Sequence, residues 1–151
     1  MAALSPFRSI LVLVDGTESA MRAAEYSIRL ARAMSARLTA IAVVDTHTLH
    51  RLMSVRILVE PEVKEFEAGL QQNQQRYLDY VAQLATREQV PIETVLGVGD
   101  WHSTVLSEQK ARQADLIVIG GFRMTLTKLN LLARERQMII DEAPCPVLVV
   151  K

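Results

Sequence analysis

Between Phe122 and Arg136 four cations, Arg123, Lys128, Arg134 and Arg136, stand against a single acid, Glu135. Guanidinium groups hold phosphate, sulfate or carboxylate through paired N–H donors. The basic stretch follows Gly120-Gly121, which end a continuous apolar run at 116–119. A loop leading from a strand end into a helix is where open α/β sheets bind anions. Two readings stand on residue types alone. The cations form an anion-binding cleft, or they are a solvated helix face or fill the cleft by pairing with Asp15. Asp15 ends the first apolar run, in Val14-Asp15-Gly16-Thr17. A carboxylate there can accept hydrogen bonds from a ligand. The plainer reading is a helix-entry turn, in which Gly16 takes an unusual backbone angle and Thr17 caps the helix.

Other reactive side chains form no group in the sequence. His47, His50 and His102 show no metal-ligand spacing with carboxylates or thiols, so no metal site is expected. Trp101 and His102 read as a half-buried anchor and a polar helix start. Cys145 lies among apolar residues and prolines, which suits a buried structural thiol better than a nucleophile. No Ser-His-Asp or paired-carboxylate arrangement stands out, so a non-enzymatic role is expected. Basic and aromatic residues do not interleave as a nucleic-acid platform requires.

The elements that must position these residues alternate along the chain. Apolar runs at 10–14, 38–44, 116–120 and 146–150 read as strands, and 91–96 as a shorter third strand. Ala20, Ala24, Ile28 and Ala31 mark the buried face of a first helix, and Phe66, Leu70, Tyr77, Val81 and Leu84 stripe a long second one that Pro61 opens. Helices are also expected at 102–112 and 126–141. Residues 45–60 show no clean period and read as a long, partly mobile connection. Strand–helix alternation from end to end argues for a parallel α/β sandwich. A chain of 151 residues, half of them apolar, makes one domain, 1–151, with a substantial core. Zero net charge argues against duplex DNA or an anionic membrane as partner. The lone cysteine fits a reducing compartment, and the first apolar run is too short to span a bilayer and lacks a secretory cleavage pattern. A cytoplasmic location, with no membrane insertion, is expected.

The stretch 115–151, closing in Ala143-Pro144-Cys145-Pro146 and a Val-Leu-Val-Val run, resembles the C-terminal signature of the universal stress protein family. The resemblance extends over nearly the whole chain. It implies a three-layer sandwich with a five-stranded parallel sheet in the order 3-2-1-4-5, flavodoxin-like or Rossmann-like. It also implies an adenosine slot made by Asp15, Val43 and Gly99, with Leu13 where such families often carry proline. ATP-binding members have a glycine, two residues, a second glycine, nine residues, then Gly-Ser or Gly-Thr. Counted back from 143–146, the first glycine is Gly120, the second position is Arg123 and the final pair is Ala133-Arg134. A non-glycine in left-handed geometry costs on the order of 1 kcal/mol, and a lost hydrogen bond to a charged oxygen roughly 1.5–3 kcal/mol. Several such losses weaken ATP binding by about two orders of magnitude or more unless something compensates. Gly120, Gly121, Arg123 and Arg134 are the anion candidates.

The resemblance thus implies a small dimeric stress or regulatory protein with a degenerate nucleotide cleft. It pairs through the edge strand Pro146, Val147, Leu148, Val149 and Val150. No cofactor is fixed; ATP, AMP or another anion would bind weakly. The alternatives are a nucleotide switch or weak ATPase that uses arginines on the phosphates, and an accessory module docked on a transporter or another protein partner.

Overall fold

Apolar runs rich in valine and isoleucine form the three central strands of the sheet, which are buried on both faces as in other parallel sheets. A computed structural model describes residues 5–56, 59–123 and 131–151. In chain order the elements are β1 (Ser9–Leu13), α1 (Glu18–Met34), β2 (Arg37–Asp45), α2 (Thr46–Ser54), α3 (Glu60–Arg87), β3 (Ile92–Gly99), α4 (Trp101–Arg112), β4 (Leu116–Gly120), α5 (Leu131–Glu142) and β5 (Val147–Val150). All strand pairs are parallel, in the order β3-β2-β1-β4-β5. This is the three-layer α/β sandwich that the resemblance implied.

The two-residue period of a strand splits the core in two. Ile10, Val12 and Val14 face α1 and α3, packing on Ala23, Ala24, Ile28, Leu78 and Val81. Leu11 and Leu13 face the other way, with Ile41, Val43, Ile117 and Ile119, and meet Trp101 and Val105 of α4 and Ile139 of α5. The Asp115 carboxylate fixes the sheet's lower end by accepting the backbone N–H groups of Arg8 and Ser9 at 2.9–3.1 Å.

Helix α1 begins as its residues dictate: Thr17 Oγ1 accepts the Ala20 N–H at 3.2 Å, and the expected alanine face is buried. Helix α3 departs from its expected stripe. Val63, Leu78, Val81 and Ala85 are its buried positions, whereas Phe66 is 52% exposed. At 28 residues α3 is about 42 Å long and outruns even β2, the nine-residue strand of about 30 Å, so part of it extends beyond the sheet. The reading of residues 45–60 as a loose connection is also corrected, since Thr46–Ser54 is the helix α2. Nine residues make two and a half turns, too short for a period to stand out in sequence. The strand expected at 91–96 extends to Gly99, and α4 begins at Trp101. Of the helix expected at 126–141, the part up to 130 lies outside the described residues, as does Lys128; α5 covers the rest.

Candidate functional site

The strand order reverses at β1, so the crevice beyond the carboxyl ends of β1 and β4 is where a sheet of this kind receives ligands. Asp15 lies just past β1 and Gly121 just past β4. Asp15 Oδ1 accepts the Thr17 N–H at 3.0 Å and the Thr17 hydroxyl at 2.6 Å. Gly16 takes φ +82°, and the Tyr77 ring lies where a Cβ would stand. The helix-entry turn read from residue types is therefore present. The second carboxylate oxygen faces neither solvent nor an open crevice, because Arg136 of α5 reaches across to it.

Arg136 spans the crevice from end to end. Its Nη2 donates to Asp15 Oδ2 and, at 3.0 Å, to Thr17 Oγ1. Its Nη1 donates to the Gly121 carbonyl at 3.0 Å and to Ser19 Oγ at 3.4 Å. The side chains of Arg136 and Asp15 are 5% and 1% exposed. A buried ion pair survives desolvation only when its geometry and remaining hydrogen bonds are good, and here all but one polar atom is engaged. The exception is Nε of Arg136, which is buried with no hydrogen-bond partner among the described residues.

The other residues singled out in the sequence are distributed around this pair. Leu13 and Val43 are buried in the α4–α5 side of the core. Gly120 is buried for a packing reason: a Cβ there would stand 2.5 Å from the Ser19 carbonyl carbon and 2.6 Å from the Ala20 nitrogen. The glycine admits the start of α1, whatever it does for an anion. Gly121 donates its N–H to the Val150 carbonyl at 2.6 Å. Gly99, at φ +138°, turns β3 into α4 in a conformation that suits glycine. Arg123 is exposed. Arg134 is exposed too and points away from Asp15. It lines a separate cavity of about 320 Å³ with Asp45, His47, Arg51, Trp101 and Met138. The fold brings Asp15, Gly120 and Gly121 together and sets Arg134 apart; Arg136, two residues on, takes the place in the crevice. One of the cleft-filling alternatives weighed for the basic cluster is thus realised by Arg136.

Beside that second cavity the fold brings His102 to carboxylates that no spacing in the sequence pointed to. Glu135, absent from any local spacing, meets His102 and Asp100: His102 Nδ1 is 2.6 Å from Glu135 Oε2 and 3.1 Å from Asp100 Oδ2. Burial acts to lower the His102 pKa, but the hydrogen bond and charge of Glu135, with the charges of Asp100 and Glu142, outweigh it and hold it above its usual value. Burial acts to raise Asp100, and hydrogen bonds from Ser103 and its own backbone with the His102 charge hold it below the usual carboxylate value. Trp101 is an anchor, as read, but a buried rather than a half-buried one. Cys145 is partly buried; burial and the Asp115 charge push its thiol upward, toward the unreactive form. A larger groove of about 680 Å³ lies at the opposite end of the sheet. Two of the arginines that line it are paired, Arg32 with Glu88 and Arg112 with Glu93 and Glu108. Among the described residues no helix is long and apolar enough to cross a membrane.

Comparison with known proteins agrees with this architecture. A universal stress protein of Thermus aquaticus is 31% identical over 146 residues, covering 96% of this chain and 99% of the relative. The solved structure of the universal stress protein UspA from Lactobacillus plantarum superposes with a TM-score of 0.77 at 23% identity, covering 95% of this chain and 97% of that one. Two further solved structures of universal stress proteins share the fold and hold nucleotides. One is in complex with cAMP (TM-score 0.68, 18% identity, 95% of this chain and 96% of that one). The other, from Archaeoglobus fulgidus, is in complex with dAMP (TM-score 0.65, 17% identity, 95% and 98%). The sequence model of the universal stress protein family matches residues 6–151. With the closing motif, the parallel sheet in its expected order and a match along almost the full length, the chain belongs to the universal stress protein family.

Proposed function

We propose that this protein is a non-enzymatic, dimeric stress or regulatory protein whose nucleotide cleft is closed by its own arginine. The observation that carries the reading is Arg136 buried across the crevice on Asp15, Thr17 and Gly121. A ligand entering there must break a buried charge pair before it makes a contact of its own. The glycine loop that would repay this with backbone N–H groups is reduced to Gly120, whose space α1 already takes. The carboxylate at the crevice, Asp15, is engaged by Arg136 and by the Thr17 turn and is not free to act as a base, which favours a binding or adaptor role over hydrolysis. The dimer forms through β5, an edge strand in the sheet.

A second reading has its own observation. Arg136 Nε is a buried donor without a described partner, and two structural relatives hold a nucleotide with a single phosphate. In that reading Arg136 turns from Asp15 to the phosphate of an AMP-type ligand and Asp15 takes the ribose. The test is to denature purified protein and identify released small molecules by mass spectrometry. The closed-cleft reading expects no nucleotide; stoichiometric AMP or a cyclic nucleotide supports the second, and stoichiometric ATP overturns the first.

A further inference from the structure

Where β3 passes into α4 the chain carries Asp100 and His102, and α5 lays Glu135 against them. One donor atom from each of the three lies within 4.8 Å of the others. We propose that Asp100, His102 and Glu135 form a site for a divalent transition metal, with zinc the best-suited ion.

The donor set decides the class of ion. An imidazole nitrogen with two carboxylate oxygens suits zinc and its neighbours, whereas magnesium and calcium take oxygen-only sites with more ligands. Tetrahedral zinc with bonds of about 2.1 Å separates its ligand atoms by about 3.4 Å. The contacts of 2.6 and 3.1 Å from His102 Nδ1 therefore open by under about 1 Å to admit the ion. Hydrogen bonds already orient the carboxylates, as outer partners do in metal sites. Glu135 Oε2 accepts the His102 backbone N–H at 2.7 Å, and Asp100 Oδ2 accepts the Ser103 hydroxyl at 2.8 Å. Two carboxylates with a neutral imidazole leave the divalent charge just balanced. Asp100 and Glu135 also border the 320 Å³ cavity that His47 and Asp45 line, which gives water or a fourth side chain a route to the metal. Arg51 and Arg134 line the same cavity and oppose the cation, so a micromolar rather than a nanomolar affinity is expected. Glu135 directly precedes Arg136, so a bound metal also holds the turn of α5 that seats the crevice arginine.

The experiment uses tag-free protein, stripped with chelator and dialysed, at pH about 7.5. Zinc chloride is titrated by calorimetry, with magnesium chloride as the control, and cobalt(II) serves as a spectroscopic probe. Expected are one equivalent of zinc, a rise in unfolding temperature, and visible cobalt bands of low symmetry. His102→Gln should abolish uptake and Asp100→Asn should weaken it at least about tenfold. The double variant His47→Ala/His50→Ala should still take up one equivalent. Circular dichroism establishes that each variant is folded, and Asp100→Asn keeps the His102–Glu135 contact should His102→Gln fail to fold. No saturable zinc uptake by the wild type overturns the proposal. So does unchanged affinity in Asp100→Asn or His102→Gln, or a thiolate-to-cobalt band in the near ultraviolet that would move the site to Cys145.

Discussion

Arg136 and Asp15 are each costly to bury, and each is tolerable only because the other is there. Replacing Arg136 with methionine leaves a carboxylate that is 1% exposed without its cation, and about 3–5 kcal/mol of stability should be lost in urea unfolding. Adding Asp15→Asn should return much of that loss, because the unpaired charge goes with it. A near-neutral Arg136→Met variant would mean that the pair does not close the crevice. Gly120→Ala should cost about 1–3 kcal/mol, since its Cβ would meet α1 backbone at 2.5–2.6 Å; a variant as stable as the wild type would show that α1 shifts freely. The turn at Asp15, Gly16 and Thr17 was legible in sequence because its bonds are local. Pairing of the basic cluster with Asp15 was one of two open readings, and which arginine makes it was not legible, because the contact spans 121 residues. Aligning the phosphate motif drew attention to position 134, and two residues along a helix is a rotation of about 200°, which carries Arg134 to the opposite side from Arg136.

At the scale of elements, the carboxylate–histidine cluster ties the start of α4 to α5, and its charge state makes that tie depend on pH. The folded His102 pKa lies above its ordinary 6.5. Its stabilising contribution is therefore fully present below about pH 6.5 and is lost as pH rises through the higher folded value. In chelator, the stability difference between wild type and His102→Gln should be largest near pH 6 and shrink at alkaline pH. A difference that grew with pH would reverse the sign of the coupling. Strands were the elements most readable in advance, since β1, β4 and β5 are short apolar runs ended or preceded by Asp, Gly or Pro and β2 is broken only by Thr39. Helix α2 escaped because it is short, and the face of α3 was shifted because part of that long helix has no sheet beneath it. The His102 cluster escaped because Glu135 joins it from another element, 33 residues away.

At the scale of the molecule, strand and helix alternation was enough for a parallel sandwich, while the strand order came only through the family resemblance; no period in a sequence says which strand neighbours which. The free edge of β5 is the surface proposed for dimer formation. Leu148 and Val150 pack against the core on the α1 side, so charging them would unsettle the fold itself. Val149 is 37% exposed, and the Pro146 and Val150 carbonyls that bond β4 leave the intervening backbone of Val147 and Val149 turned outward. Wild-type protein should sediment as a dimer at micromolar concentration, and Val149→Lys should sediment as a folded monomer; a monomeric wild type would remove β5 as the interface. The central claim is that Arg136 closes the nucleotide crevice, and calorimetric titration of ATP into the wild-type protein tests it most directly. The expected result is no saturation below about 100 μM, and a submicromolar dissociation constant at one site per chain would contradict it.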